Sequence, residues 1–182
     1  MKQLIKSITE ICPLAIFLIY YLNQDLMAAI FPFIVASIIT LPLLFIIDKK
    51  IPTFAIISAV IIIVFGIISI YFNNESIFKM KPTFLYLATS IGLLISLQFN
   101  KIILKNLLST SILMNNRGWK IATKRWSYFF IFLAFTNEII WRTQPTQTWV
   151  TFKVFGVLIL MFIFSLLQIS LIKKYTEKNY RR

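Results

Sequence analysis

Glu138 and Lys153 raise the chemical question in this chain, because each is an ionisable side chain within an otherwise apolar run. Both lie in the stretch NEIIWRTQPTQTWVTFK, Asn137 to Lys153. Counted from Pro145, Glu138 lies seven residues back and Lys153 eight forward, with Trp141 and Trp149 each four residues away. This spacing predicts a helical hairpin turning at Pro145, with the two tryptophans as paired interface anchors. The carboxylate and the ammonium then sit at matched depth, about one turn further in. Two chemistries fit. A cross-hairpin ion pair would ease the burial of both groups. A lone charge at a helix centre costs ~2.5–3.5 kcal/mol on insertion scales, and an attraction of about 4 kcal/mol at roughly 4 Å, for an effective dielectric near 20, offsets much of that. A small transporter would use the same two groups on a solute or a lipid. The plainer alternative pairs Glu138 with Arg142 one turn on and leaves Lys153 to snorkel alone.

Other reactive constellations are missing. The sequence has no histidine, hence neither the commonest general base nor the commonest transition-metal ligand. Its carboxylates are Glu10, Asp25, Asp48, Glu75, Glu138 and Glu177. None stands within helical or short-turn reach of another, so no paired-carboxylate site for acid–base or two-metal work is expected. Nucleophile-elbow, phosphate-loop and C-x-x-C motifs are absent. Cys12 is the single cysteine, which excludes an intramolecular disulfide. The expectation is a non-enzymatic protein without cofactor or metal.

The elements that carry these residues are set by the solvent. Hydrophobic residues make up 59% of the chain and charged ones 14%, with a mean hydropathy of +0.83. A soluble domain uses about 25% charged residues and could not hide so much apolar surface. Spanning ~30 Å of hydrocarbon takes about 20 helical residues. Runs near 26–47, 53–72, 82–99, 126–142 and 149–172 meet that need, the fourth with help from a snorkelling Arg142. The expected fold is all-α, a polytopic transmembrane helical bundle forming one membrane domain over residues 1–182. Residues 11–22 are apolar but make a helix only ~18 Å long, with Pro13 in its first turn. Basic residues precede them as in a signal peptide, yet the small-residue cleavage signature is missing. The segment reads as an interfacial or half-depth helix, or as a sixth span.

Lysine and arginine set orientation. One set of loops holds Lys49, Lys50, Lys101, Lys105, Arg117, Lys120, Lys124, Arg125, Lys173, Lys174, Lys178, Arg181 and Arg182, while the other holds Lys79, Lys81 and Arg142. The first set, with the tail 173–182, is therefore expected on the cytoplasmic side. The net charge of +13 then belongs to one face, where anionic lipid attracts it; nucleic acid is not an expected partner. In the basic loop 100–125, Lys101, Lys105, Asn106, Ser109 and Thr110 fall on one helical face, and Ile103, Leu104, Leu107, Leu108 and Ile112 on the other. This pattern predicts a helix lying on the membrane surface, with Trp119 and Trp126 as headgroup-level anchors. Pro52 and Pro82 fit first helical turns, and Pro32 and Pro42 fit kinks in the first long span. Ala88, Gly92 and Ser96 recur every four residues, a small-residue stripe suited to close helix packing, within the chain in the first reading or between two copies in a homodimer.

Several segments resemble the intracellular septation protein A family. They are FKMKPT from Phe78 to Thr83, RGWKIATKRW from Arg117 to Trp126, NEIIW from Asn137 to Trp141, and WVTFKVFG from Trp149 to Gly156. Glu10 and Pro13 resemble the family's opening motif, with Cys12 where many members have glycine. Phe65 and Gly66 match its Phe-Gly, followed by Ile67, Ile68 and Ser69 in place of the more usual Gly-Leu-Thr. The resemblance covers nearly the whole chain. It implies a bacterial inner-membrane protein of cell-envelope biogenesis, membrane homeostasis and septation. It also implies partners in the division and elongation machinery, and no established catalytic residues.

Overall fold

The structure, a computed structural model, describes residues 2–49, 53–109 and 112–176. Lys50, Pro52, Thr110 and the tail beyond Thr176 lie outside them, as do the side chains of Glu10 and Asp48. All regular structure among the described residues is helical: α1 (Lys2–Asn23), α2 (Leu26–Asp48), α3 (Thr53–Tyr71), α4 (Glu75–Gln98), α5 (Ile103–Leu108), α6 (Asn116–Thr143) and α7 (Thr146–Tyr175). Within α7, Phe152–Gly156 form a π-helical turn. Three helical stretches, Leu26–Ile47, Glu75–Gln98 and Thr146–Tyr175, are long and apolar enough to cross a membrane. This is a polytopic helical membrane protein.

Several helices outrun the apolar runs that announced them. α1 starts at Lys2, so Pro13 stands in its middle instead of its first turn. α4 starts at Glu75, which places Pro82 a full two turns inside. α6 starts at Asn116, and Arg117, Lys120, Lys124 and Arg125 belong to its first turns, not to a loop. For α6 the physical reason is capping. The Asn115 side chain accepts from the Gly118 N–H at 2.8 Å, a local signal that starts a helix well before hydropathy rises. Asp25 caps α2 likewise, accepting from the Ala28 N–H at 2.7 Å.

The chain divides into two compact units, residues 1–81 and 82–182. In the first, Phe17, Phe33 and Phe78 form an aromatic cluster, with ring centroids 5.3 to 6.1 Å apart. The Lys81 ammonium lies 5.0 Å from the centre of the Phe33 ring. Gly66 of α3 faces Ile30 and Ile34 of α2 so closely that an added Cβ would stand 2.6 Å from the Ile34 Cδ1.

In the second unit, α6 buries Trp119, Ala122, Thr123, Ser127, Leu133, Ala134 and Asn137 along one face at three- and four-residue spacing. The Phe129 and Phe164 rings stack at 4.1 Å where α6 meets α7, and Trp126 sets its edge on Phe164 at 4.9 Å. At the other end of the pair the Asn115 N–H donates to the Tyr175 carbonyl at 3.0 Å.

The small-residue stripe does not pack as expected. Ala88 and Gly92 are exposed, and a Cβ at Gly92 would meet nothing within 4 Å; Ser96 is buried. The inner face of α4 runs instead through Thr83, Tyr86, Ser90 and Leu93. The close approach falls at Gly118, where a Cβ would lie 2.6 Å from the Tyr175 Cβ. Gly92→Ala is therefore expected to be neutral or to stabilise by up to about 1 kcal/mol through helix propensity. Gly118→Ala is expected to cost about 1–3 kcal/mol through overpacking. Unfolding in detergent measures both, and equal effects would refute this account of the α6–α7 contact.

Candidate functional site

The two charges of the hairpin dock on α4, not on each other. α6 ends at Thr143 and α7 begins at Thr146, so the turn at Pro145 forms as its sequence suggests. The Glu138 Oε1 accepts from the Thr83 hydroxyl at 2.8 Å, and its Oε2 accepts from the Arg142 Nε at 2.8 Å. The Lys153 ammonium donates to the Tyr86 hydroxyl at 2.9 Å and sits 4.7 Å from the centre of the same ring. The expected Glu138–Lys153 ion pair is thus replaced. Arg142 takes the carboxylate because one helical turn already places it there, at no cost in chain entropy across the hairpin. Lys153 does not snorkel alone, since its stem turns inward to Tyr86. Thr83 and Tyr86 are three residues apart, hence on one face of α4.

Asn137 completes the network. Its Nδ2 donates to the Thr83 Oγ1 at 2.9 Å, and its Oδ1 accepts from the Trp149 indole N–H at 3.0 Å. Asn137 and Trp149 are 1% and 3% exposed. Trp149 is therefore a core residue tying α7 to α6, not an interface anchor. Trp119 is corrected in the same way. At 1% exposure it fills the junction with Met114, Ala122 and Leu171. Trp126 is half-buried among Phe129, Phe130 and Phe164. Trp141 is half-buried, with the Arg142 guanidinium 4.4 Å from its ring centre.

The π turn bears on Lys153 directly. A widened turn of this kind is a local departure from the α-helix, often found at functional positions. Here it holds Lys153, and its last residue is Gly156, where an added Cβ would stand 2.5 Å from the Phe152 ring. The glycine admits that ring against the helix.

At the opposite end of the unit, α5 spans only six residues, and the surface helix expected over 101–112 is correspondingly reduced. Its apolar residues divide. Ile102, Leu104, Leu108 and Ile112 pack on the Met114–Trp119 cluster, while Ile103 and Leu107 stay exposed. Packing on α6 thus withdraws Leu104, Leu108 and Ile112 from the face expected on lipid and leaves Ile103 and Leu107 there. Lys105 donates to the Asn116 Oδ1 at 2.8 Å, and Lys120 reaches the Asn100 Oδ1 at 3.5 Å. Lys101, Arg117, Lys124 and Arg125 are exposed.

Sequence reasoning overlooked Thr83, Tyr86 and Asn137. The signal was present: Thr83, Tyr86 and Ser90 are polar residues at helical spacing within an apolar run. Among the described residues no group of three or more His, Cys, Asp or Glu side chains could hold a metal ion.

A family profile described as Intracellular septation protein A matches residues 5–179. The inner membrane-spanning protein YciB of Bradyrhizobium sp. (strain ORS 278) is 40% identical over 174 residues, which cover 96% of this chain and 87% of that protein. The protein of the same name from Brucella suis biovar 1 (strain 1330) is 32% identical over 191 residues, covering 97% of this chain and 96% of its own. No solved structure matches the chain.

Proposed function

Because the chain belongs to the intracellular septation protein A family, we propose that it is a non-enzymatic organiser of the inner membrane in envelope assembly and septation. Its outer helix faces dock components of the division and elongation machinery, and its basic face holds anionic lipid. The observation that carries this reading is the closed polar network. Glu138 is taken up by Thr83 and Arg142, and Lys153 by Tyr86. A transporter of solutes or lipids working through Glu138 and Lys153 would need them facing a water-filled path. The surface left for partners is large and apolar. Phe155, Leu158, Phe162 and Leu167 of α7 are each more than 60% exposed.

In this reading α2, α3, α4, α6 and α7 are the five spans. α1 is a sixth, since its 22 residues reach ~33 Å, and the crossing places Lys2 and Lys6 with the other cytoplasmic cations. A phosphatase fused after Arg182 is expected to be inactive. A cysteine at Gln3, in a Cys12→Ala background, is expected to resist an impermeant maleimide in intact cells. Labelling at Gln3 removes the sixth span, and an active phosphatase reverses every loop. For the role itself, photo-crosslinkers at Phe135, Phe162 and Leu167 in growing cells are expected to capture integral proteins of the division or elongation machinery. Capture of lipid alone at all three positions refutes the docking role.

A further inference from the structure

Beside α5 the basic residues line an open hollow of about 550 Å³. Lys101, Lys105 and Lys120 stand around it together with Asn106 and Asn116. Three like charges around one space repel each other, and an anion between them relieves that repulsion. Among the described residues of 82–182, Glu138 is the single acidic side chain that could do so. Only two carboxylates occur in residues 82–182, Glu138 and Glu177. Glu138 is engaged by Thr83 and Arg142, eighteen positions along α6 from Lys120, or ~27 Å. Glu177 lies outside the described residues. Asn116 opens the 28-residue α6, whose N-terminal dipole adds to the positive potential. Lys105 and Asn116 also line a neighbouring cavity of about 330 Å³, together with Ser109, Ile112, Leu113, Met114 and Trp119. A charged compartment thus adjoins one of mixed lining, with apolar side chains on part of its wall.

We propose that this hollow binds a phosphate group, held by Lys101, Lys105 and Lys120 with the Asn106 and Asn116 amides donating, and that the Ile112–Met114 side of the adjoining cavity takes the start of an attached acyl glycerol. The ligand class is a phosphate ester, from a phospholipid headgroup or from a soluble phosphate. The site sharpens the anionic-lipid part of the proposed function and rests on it only for the side of the membrane involved.

The test titrates the purified full-length protein in neutral detergent, by native mass spectrometry, with dioleoyl phosphatidic acid, dioleoylglycerol and glycerol 3-phosphate. Phosphatidic acid is expected to bind saturably and dioleoylglycerol not to bind. Glycerol 3-phosphate binding as tightly as the lipid upholds the phosphate site and names a soluble ester as its ligand. The triple variant Lys101→Gln, Lys105→Gln, Lys120→Gln is expected to weaken binding at least about tenfold, given what charged hydrogen bonds contribute. Lys81→Gln, from the smaller set of cations assigned to the opposite side, is expected to leave it within about twofold. Unchanged binding by the triple variant, or an equal loss in the Lys81 control, overturns the site. If losing the Lys105–Asn116 bond unfolds the triple variant, Lys101→Gln alone decides, because the Lys101 side chain is exposed and its ammonium makes no hydrogen bond among the described residues. An unchanged affinity there is equally fatal. Binding in detergent is independent of orientation, so failure here leaves the topology standing, and failure of the phosphatase result leaves the hollow standing.

Discussion

Replacing Asn137 with leucine is expected to lower stability in detergent by about 2–3 kcal/mol. The side chain is fully enclosed and bridges three helices, receiving the Trp149 indole N–H through its oxygen and giving its amide N–H to the Thr83 hydroxyl. Leucine preserves the bulk and removes both contacts. The indole N–H is then left in a dry interior without its acceptor, which costs about 1–3 kcal/mol by itself. The Thr83 hydroxyl keeps its bond to Glu138, so its share is smaller. Thr83→Val is accordingly expected to lose only about 1–1.5 kcal/mol, near the upper end for hydrogen bonds between membrane helices. Detergent unfolding ranks the two variants, with Trp149 emission as a local signal. A loss below about 0.5 kcal/mol for Asn137→Leu would mean that the network is not what joins α6, α7 and α4.

Tyr86→Phe is expected to cost a further class of energy, the isolation of a buried charge. It removes the hydroxyl at 2.9 Å from the Lys153 ammonium while leaving the ring 4.7 Å away. A hydrogen bond to a charged group contributes about 1.5–3 kcal/mol, and the cation–π contact with the ring is retained, so a loss of about 1.5–3 kcal/mol follows. Lys153→Met, by contrast, removes the charge and keeps the apolar stem. Replacing a buried charge with a well-packed apolar group is often neutral or stabilising. In the Lys153→Met background, Tyr86→Phe is expected to be nearly silent, giving a coupling of about 1.5 kcal/mol or more in the double-mutant cycle. The cycle of Lys153→Met with Glu138→Gln should show a smaller coupling, because the two share no hydrogen bond. The reverse order would restore the direct pair between Glu138 and Lys153 in place of their separate seats on α4.

Only part of this arrangement was legible in the amino-acid order. The apolar runs gave the long helices nearly to the residue in α2 and α3, because a dehydrated backbone has no other way to satisfy its N–H and C=O groups across hydrocarbon. Hydropathy is silent about polar turns beyond the membrane. Hence hydropathy marks no helix at Glu75–Lys81 of α4 or Asn116–Arg125 of α6, although the Asn115 cap signals the start of α6. The hairpin at Pro145 and the i, i+4 closeness of Glu138 and Arg142 were also legible, being local in sequence.

What the sequence by itself determined, then, was the solvent, the helical class and the positions of the charges, since these depend on run length and on contacts within one helical turn. Only the tertiary structure decided which partner each polar group takes. Periodicity leaves the rotation of a uniformly apolar helix about its axis undefined. α7 has aromatic and aliphatic residues on every side, so nothing along its order distinguished Trp149 facing Asn137 from Trp149 facing lipid headgroups. Packing against α6 made that choice, as it turned Lys153 to Tyr86, left Gly92 open and brought Gly118 against Tyr175. Close packing admits few rotations in which every buried polar group also finds a partner, and that joint condition exists only once the helices are assembled.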